Sequence, residues 1–331
     1  MRLLALDLLG AVGRNILRLL AERSFPAAEV VALASSRSAG TEVEGHTVAD
    51  LEQADLSGFD IALFSAGSSI SELWGPRFVE AGAVVVDNSS HWRPFDHVPL
   101  VVAEVNPEAL DSHQGIVANP NCSTMQAMVV LGPVLARFGL ERVVFSTYQA
   151  VSGTGVKAVA ELEDQARALL SGNEPASASV YPHRIAFNVI PQVEVFRDGD
   201  DYTTEERKMI AETRKILGRP DLRVTATCAR VPVMNGHSES VNLQTVEPAS
   251  PQDIRDLLAE APGVTVVDDP ANGVYPMAID GSGRDDVLVG RIRVDESAER
   301  SLNMWIVGDN LRKGAATNAV QLAELLVERG L

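Results

Sequence analysis

The sequence predicts an α/β protein that combines a doubly wound parallel sheet with a second α+β domain built on a mixed sheet. Two properties of the whole chain support two domains: it has 331 residues, and 46% of them are apolar. A chain of this length exceeds one ordinary hydrophobic core, and its apolar fraction suffices for two cores. The third observation is a change in strand pattern about a third of the way along the chain.

In the first third, short apolar strands alternate with helical patterns. Strands are predicted at Leu3–Leu6, Val30–Ala34, Ile61–Phe64 and Ala83–Val86. A helix is predicted over Ala11–Glu22, where Val12, Ile16 and Leu19 recur at helical spacing. Glycine, serine and aspartate punctuate the strands. This alternation predicts βαβ units and a Rossmann-type sheet.

After Cys122 the predicted strands become longer and several alternate apolar with polar residues. They are Val143–Val151, Leu222–Val233, Val241–Thr245, Val287–Arg293 and Asn303–Val307. Helices are predicted at Val156–Leu170, Thr204–Leu217 and, as an amphipathic final segment, Ala315–Glu328. The pattern indicates a mixed sheet with helices on one face.

The charge and cysteine content exclude several classes of function. A formal net charge of −17 argues against nucleic acid and against anionic membrane surfaces, since both need a cationic face. No apolar run approaches the roughly 20 residues that span a bilayer. Asp7 comes too early for a secretory signal. The two cysteines suggest neither a disulfide framework nor a metal site, so we expect a reducing, cytoplasmic location.

The turn after the first predicted strand carries part of a dinucleotide-binding glycine motif. Gly10 and Gly13 occupy the second and third glycine positions, and Asp7 occupies the first. The amides of such a turn face the cofactor's diphosphate, which an aspartate carboxylate would repel. Two glycines at this spacing also fit close helix–strand packing, so the motif alone leaves both interpretations open.

The end of the second predicted strand favours NADP over NAD. Ser36, Arg37 and Ser38 follow it, without the acidic residue that would bind a ribose 2′-hydroxyl. An arginine flanked by serines suits a 2′-phosphate. The alternative is a solvated serine-rich loop.

Cys122 has the sequence setting of a reactive thiol. The polar segment Asn119–Thr124 precedes an apolar helical run from Met125 to Leu135, which places Cys122 at or near a helix N-terminus. The helix dipole and free amides there stabilise a thiolate and can hold an oxyanion. A buried structural cysteine is the alternative. Cys228, in an alternating strand, is predicted to lie in the core.

A thiolate that attacks a carbonyl carbon needs a partner for proton transfer. Among six histidines, His237 is the candidate, because it lies at a glycine-containing break between two predicted strands. Arg230 shares the strand face of Ala226 and Cys228 and should point to the buried side. A buried arginine needs an anion, either an internal carboxylate or a substrate carboxylate.

Several segments together resemble bacterial aspartate-semialdehyde dehydrogenases over essentially the whole chain. These segments are Asn119–Thr124, Ser146–Gly153, Arg230–Val233, Gly236–Glu239 and Asp309–Ala315. The resemblance implies reversible reductive dephosphorylation of L-aspartyl-4-phosphate to L-aspartate-4-semialdehyde with NADPH, on the route to lysine, methionine and threonine. It implies a thioester on Cys122 and an acid/base role for His237.

The resemblance also implies roles for residues that bind the substrate. Gln149 would orient the acyl group and Arg230 would bind the α-carboxylate. Glu205 and Lys208 match the family's acidic and lysine positions, although their run alone predicts only a helix start with exposed charges. The implied substrate-binding residues are Arg93 (for phosphate), Asn121, Glu205, Lys208 and Arg230.

The implied domains and cofactor site follow from the same resemblance. Residues 1–121 with 315–331 would form a discontinuous NADP-binding domain, and residues 122–314 a catalytic and dimerisation domain of a homodimer or homotetramer. No metal is expected. The predicted cofactor-binding residues are Gly10, Ala11, Val12, Gly13, Ser36, Arg37, Ser38, Ser65, Gly67, Ser152, Gly153, Asn310 and Gln321.

One segment departs from the family pattern. Asp7, Leu8 and Leu9 stand where the family has Gly-Ala-Thr, so we expect weakened NADP binding. This departure leaves open a cofactor-impaired or catalytically silent homologue. An N-acetyl-glutamyl-phosphate reductase, which would share the architecture, the thiolate, the histidine and NADPH, also stays open.

Overall fold

The computed structural model describes residues 1–6 and 9–330, which form two compact units. The first consists of Met1–Asn121 and Gly314–Leu331, and the second of Cys122–Lys313. Across the described residues, every helix is too short or too polar to cross a membrane.

The first unit is built on a seven-stranded sheet. Its strands are β1 (Arg2–Leu6), β2 (Glu29–Ala34), β3 (Glu42–Val43), β4 (His46–Asp50), β5 (Ile61–Phe64), β6 (Val84–Asp87) and β7 (Ile116–Ala118). They lie in the order β3-β4-β2-β1-β5-β6-β7, and all neighbours are parallel except β3 and β4. The winding direction reverses between β1 and β5, which confirms the predicted doubly wound fold.

Helices cover the central strands of this sheet. The helices of the first unit are α1 (Ala11–Glu22), α2 (Ser68–Glu80) and α8 (Asn318–Glu328). Leu3 of β1 packs in one buried cluster with Ile16 of α1 and Leu322 of α8. Residues Leu3–Leu6 are all nearly inaccessible to solvent, as expected for a parallel strand covered on both faces.

The second unit contains a six-stranded mixed sheet. Its strands are β8 (Leu140–Gln149), β9 (Arg223–Arg230), β10 (His237–Thr245), β11 (Val264–Val266), β12 (Val287–Val294) and β13 (Ser301–Gly308), in the order β11-β12-β13-β10-β8-β9. The pairs β8–β9 and β11–β12 are parallel and the other pairs antiparallel. Its helices are α3 (Cys122–Phe138), α4 (Val156–Leu170), α5 (Thr204–Ile216), α6 (Pro251–Ala259) and α7 (Ala278–Gly281). The predicted mixed sheet is confirmed.

Several predicted boundaries were wrong. The final helix begins at Asn318 rather than Ala315, because Arg312–Thr317 forms a π-helical segment before it. The strand predicted over Leu222–Val233 ends at Arg230, and the one predicted from Val143 begins at Leu140 and ends at Gln149. The short strands β3, β4 and β7 were not predicted, since two to five residues carry little periodic signal.

Candidate functional site

Strand register in the second unit brings three predicted side chains to one edge of its sheet. Gln149 ends β8 and pairs with Arg230 at the end of β9. His237 begins β10, which runs antiparallel to β8 and pairs Ser238 with Tyr148. Because β8 and β9 end where β10 begins, Gln149, Arg230 and His237 lie side by side.

Cys122 meets this edge from the first residue of α3. Its Sγ lies 3.3 Å from Nε2 of His237. The thiol is partly accessible, and α3 continues for 17 residues, so its dipole favours negative charge on the sulfur. The predicted position of Cys122 at a helix N-terminus is confirmed.

His237 is fully buried at the start of its strand. Sequence reasoning placed it in a break before a strand at Val241, which was wrong, since the strand already begins at His237. The turn before it depends on Gly236, whose φ is +88° and where a Cβ would lie 2.7 Å from the carbonyl oxygen of Ala278. A side chain at position 236 would therefore displace the strand start.

The His237 ring is held in a neutral state. The backbone N–H of Ala150 donates to Nδ1 at 3.0 Å. Burial and the Arg230 guanidinium lower the pKa of His237 to about 3, against a smaller raising effect of Glu205.

Arg230 is buried, as its strand parity predicted. Its Nη1 donates to the carbonyl oxygen of Ala150 at 2.7 Å, and its guanidinium lies 5.9 Å from the ring centroid of Tyr181. Within the described residues, Arg230 has no carboxylate partner in an ion pair, and its Nε has no hydrogen-bond partner. The structure therefore offers a buried cation next to His237.

Gly153 lies in the 3₁₀ turn Val151–Thr154, next to the side chains of His237 and Arg230. A Cβ at Gly153 would lie 3.1 Å from Cε1 of His237 and 3.2 Å from Nη1 of Arg230. Both distances are shorter than ordinary carbon contacts, so glycine leaves room for both side chains.

The adjoining loop is tied together by amide and hydroxyl groups. Ser152 Oγ donates to Asn235 Oδ1 at 2.9 Å and accepts from Asn310 Nδ2 at 2.9 Å, while Asn310 Oδ1 accepts from the backbone N–H of Gly236 at 3.0 Å. The predicted cofactor-binding residues Ser152, Gly153 and Asn310 thus lie together, and two of them fix the turn that precedes His237.

Gln149 leads into a chain of charged groups that runs from the buried Glu205 to the exposed Glu194. Its Nε2 donates to Glu205 Oε1 at 3.0 Å, and Lys208 Nζ lies 2.8 Å from Glu205 Oε2 and 2.6 Å from Glu194 Oε1. The helix start at Thr204 is confirmed, with Thr203 as its N-cap. The prediction that these charges are exposed was wrong for Glu205, which is only 2% exposed, because α5 turns its first carboxylate towards the sheet.

Sequence reasoning missed two residues behind the site. Ala150 contributes its amide to His237 and its carbonyl to Arg230, roles that no side-chain pattern reveals. Glu239 is fully buried, and neither carboxyl oxygen has a hydrogen-bond partner among the residues described. Burial raises its pKa well above the ordinary value. Alternation from His237 along β10 could have placed Glu239 on the buried face.

Cys228 contrasts with Cys122. It is fully buried, its Sγ contacts Met209 Sδ at 3.6 Å, and burial raises the pKa of the thiol far above its usual range. The prediction of a core cysteine is confirmed.

In the first unit, the predicted cofactor-binding residues follow three adjacent parallel strands. Gly10 is the N-cap of α1 after β1, Gly67 is the N-cap of α2 after β5, and Ser36–Ser38 form a 3₁₀ turn after β2. A Cβ at Gly10 or Gly67 would meet nothing within 4 Å. Open helix N-termini at a switch point fit a diphosphate. Asp7 and Leu8 lie outside the described residues.

The remaining predicted residues of the first unit are placed as follows. Arg93 is buried and its Nη2 donates to the carbonyl oxygen of Asn88 at 2.7 Å. Asn121 is also buried, and Gln321 Nε2 donates to Glu104 Oε1 at 2.8 Å. In the part of the chain that the structure describes, no group of three or more potential metal ligands was found.

Comparison with known proteins identifies the class first. A family model described as "Semialdehyde dehydrogenase, NAD binding domain" matches residues 8–113, and one described as "Semialdehyde dehydrogenase, dimerisation domain" matches residues 131–313. The chain is therefore an oxidoreductase with a nicotinamide-cofactor domain.

Individual relatives of this chain carry the name of one enzyme within that class, aspartate-semialdehyde dehydrogenase. An aspartate-semialdehyde dehydrogenase of Aquifex aeolicus is 52% identical over 97% of this chain and 96% of its own length. The structure of aspartate semialdehyde dehydrogenase II from Vibrio cholerae complexed with ASA is 44% identical, with a TM-score of 0.96 over 100% of this chain and 99% of that one. An enzyme of this name from Candida albicans, solved with NADP, is 26% identical, with a TM-score of 0.74 and 98% coverage of both chains.

The chain belongs to the aspartate-semialdehyde dehydrogenase family, which serves amino-acid biosynthesis. Of the functions weighed from the sequence, the comparisons support this one and neither the N-acetyl-glutamyl-phosphate reductase nor the silent homologue.

Proposed function

We propose that this chain oxidises L-aspartate-4-semialdehyde to L-aspartyl-4-phosphate with NADP and phosphate, and catalyses the reverse reaction in lysine, methionine and threonine biosynthesis. The observation that carries the proposal is the 3.3 Å contact between Cys122 Sγ and His237 Nε2 beside a buried, carboxylate-free Arg230. Cys122 supplies the nucleophile, and His237 supplies a group that can interact with the oxygen of the reacting carbonyl. Arg230 supplies a site for a substrate carboxylate.

Cys122 acts as the nucleophile. Its sulfur attacks the aldehyde carbon to give a tetrahedral adduct, which becomes a thioester when its hydride is lost, and phosphate then displaces the sulfur. When bound, the nicotinamide accepts or donates the hydride. The amides at the start of α3 and the helix dipole stabilise the thiolate in the free enzyme and again after each turnover.

Arg230 binds the α-carboxylate of the substrate. Nη1 of its guanidinium donates to the carbonyl oxygen of Ala150, which fixes the orientation of the group. A buried guanidinium is stabilised most when it is paired with an anion. This favours the substrate carboxylate over the internal carboxylate, the other alternative that strand parity left open.

A second group of polar side chains in the site consists of Glu205 with its two partners, Gln149 and Lys208. The Glu205 carboxylate suits the substrate ammonium, and its hydrogen bond from Gln149 orients the amide that would hold the acyl group. Lys208 adds a cation for phosphate. Arg93 and Asn121 belong to the other compact unit, and their substrate roles rest on the family resemblance alone.

The cofactor is NADP in this proposal. Exposed Arg37 between Ser36 and Ser38, with no acid at the end of β2, suits a 2′-phosphate. The open amides at Gly10 and Gly67 suit the diphosphate. The solved Candida albicans relative contains NADP, which is consistent with this choice.

The chain acts as a homodimer through the second unit, in the cytoplasm. The sheet face opposite α3 carries the Tyr148 and Trp305 rings, 5.3 Å apart, and Tyr275 and Met277 beside them are partly exposed. Arg291 and Arg293 line the same face, and exposed aromatic residues together with arginine are typical of protein–protein interfaces. The dimerisation model covers these residues.

The test is the absorbance of NADPH after mixing purified protein with NADP, phosphate and either aspartate semialdehyde or N-acetylglutamate semialdehyde. We expect phosphate-dependent NADPH formation with the first aldehyde only, and a far weaker rate with NAD. Turnover with the acetylated aldehyde, or none with either, would refute the proposal.

A further inference from the structure

A segment between α4 and α5 closes the second unit's site next to Arg230. We call it the strap, and it spans residues 179–190. Its end is bound to the backbone of Arg230, since the N–H of Ile190 donates to the carbonyl oxygen of Arg230 at 3.0 Å, and the N–H of Arg230 donates to the carbonyl oxygen of Ile190 at 2.8 Å. The strap is therefore tied to the residue that we propose to bind the substrate carboxylate.

Helix α4 fixes the start of the strap through one carboxylate. Oε2 of Glu161 accepts from the N–H and the hydroxyl of Ser179, at 2.7 and 2.8 Å, and from the N–H of Val180 at 2.8 Å. Burial acts to raise the pKa of the Glu161 carboxyl, but these hydrogen bonds hold the pKa below its ordinary value. The carboxylate is therefore charged near neutral pH, and its hydrogen bonds are charge-assisted.

The residue that follows these anchors, Tyr181, lies between the strap and the turn beside the site. Its hydroxyl donates to Oγ1 of Thr154 at 3.0 Å, and Thr154 ends the 3₁₀ turn Val151–Thr154. The side chain packs against a buried apolar cluster of α4 and the strap. Its ring centroid lies 5.9 Å from Cζ of Arg230. The hydroxyl and the packing hold the ring in place beside the guanidinium.

The ring shields a cation that is prepared for an anion. Arg230 is only 6% exposed, and among the described residues its Nε has no hydrogen-bond partner. The attraction between a guanidinium and a carboxylate grows as the local dielectric constant falls, so a ring that keeps water away strengthens the pair. A separation of 5.9 Å is near the outer limit of cation–π attraction. Exclusion of water is therefore the larger contribution of the ring.

We propose, on the basis of the function proposed above, that Tyr181 is a specificity-determining residue whose ring forms the aromatic wall of the pocket for the substrate α-carboxylate. Glu161 is then a positioning residue, which acts through Tyr181. The wall favours aldehydes that carry a carboxylate over aldehydes that lack one. It contributes to substrate binding and leaves the chemistry at Cys122 unchanged.

The experiment compares aspartate semialdehyde with 3-aminopropanal, which lacks the carboxylate, in wild type, Tyr181→Ala and Tyr181→Phe. We expect Tyr181→Ala to raise KM for aspartate semialdehyde by about tenfold, with kcat within about threefold and kcat/KM for 3-aminopropanal within about twofold of wild type. Tyr181→Phe keeps the ring and should raise KM by less than about threefold. An unchanged KM in Tyr181→Ala, equal losses on both aldehydes, or equal losses in both variants would overturn the proposal.

Salt dependence provides a second readout, which a purely structural role would not change. Without the ring the ion pair is open to screening, so raising KCl from about 0.05 to 0.5 M should increase KM for aspartate semialdehyde more in Tyr181→Ala than in wild type. Equal salt dependence in the two proteins would contradict the wall.

A double-mutant comparison tests the role of Glu161. Glu161→Ala should raise KM for aspartate semialdehyde by about threefold in the wild-type background and add nothing to Tyr181→Ala, because it acts through that ring. Additive effects would contradict this role. An active wild type with an unchanged KM in Tyr181→Ala refutes only this inference, whereas an inactive wild type refutes the function on which it rests.

Discussion

In the second unit the functional groups of the candidate site are side chains, whereas in the first unit the candidate cofactor site consists mostly of backbone. His237, Arg230 and Gln149 each have a described partner within 3.0 Å. Gly10 and Gly67, in contrast, offer open helix N-termini. A site built from side chains depends on residue identity, and one built from backbone depends on the turn conformation. Substitutions should therefore act on turnover in the second unit and on cofactor affinity in the first.

The largest effect tests the nucleophile. Cys122→Ala should lower kcat by about 10⁴-fold or more, because the covalent route is lost. Cys228→Ala is the matched control and should retain activity within about twofold, since that thiol only fills the core. Comparable losses in both variants, measured as NADPH formation, would remove the distinction between the two cysteines.

The next effect tests the carboxylate site. Arg230→Lys should raise KM for aspartate semialdehyde and reduce kcat/KM by about 10²-fold. The lysine ammonium cannot make the two parallel hydrogen bonds that a guanidinium makes to a carboxylate. With 3-aminopropanal, which lacks the carboxylate, wild type and variant should differ little. If the variant loses as much on 3-aminopropanal, Arg230 supports the fold or His237 instead.

Two glycines compare the units directly. Gly153→Ala places a methyl group against His237 and Arg230 and should lower kcat by about 10- to 100-fold through misplacement of the reacting groups. Gly10→Ala has space for its methyl group in the free protein and should raise KM for NADP with kcat retained. If Gly153→Ala instead raised KM for NADP, and Gly10→Ala instead lowered kcat, turnover would not depend on the second unit and cofactor affinity on the first in the way proposed.

The unusual turn of the first unit gives a smaller effect. Replacing Asp7, Leu8 and Leu9 by Gly, Ala and Thr removes a carboxylate from the expected phosphate site, so Kd for NADP should fall by about tenfold. Fluorescence titration with NADP measures this, and kcat should be unchanged. An unaltered Kd would show that the wild-type turn already binds the diphosphate well.

The smallest effect concerns stability against pH. The folded state depresses the pKa of His237 to about 3, so protons bind the unfolded state more tightly and stability is lost as pH falls below about 6.5. Between pH 6.5 and 5 this loss is about 2 kcal/mol at most, and denaturant unfolding of His237→Gln should lack it. Glu239 has the opposite sign: its raised pKa costs stability as pH rises above about 4.5, so Glu239→Gln should gain stability at pH 8 but not at pH 4.

Sequence reasoning succeeded where periodicity or local chemistry suffices. Helix α1 was predicted at its observed bounds, and strand parity placed Arg230 and Cys228 on the buried face. It failed where contacts between distant segments determine whether a residue is buried or what it binds. Glu205 is buried against Gln149 although its local sequence resembles an exposed helix start, and the Ala150 amide can be found only from the register of β8 against β10.

The most direct test of the central claim is a mass measurement of the intermediate. Protein mixed with NADP and aspartate semialdehyde in the absence of phosphate should carry an aspartyl group on the peptide that contains Cys122, and added phosphate should discharge it. An unmodified Cys122, or an acyl group on Cys228 or a lysine, would contradict a thioester mechanism centred on the start of α3.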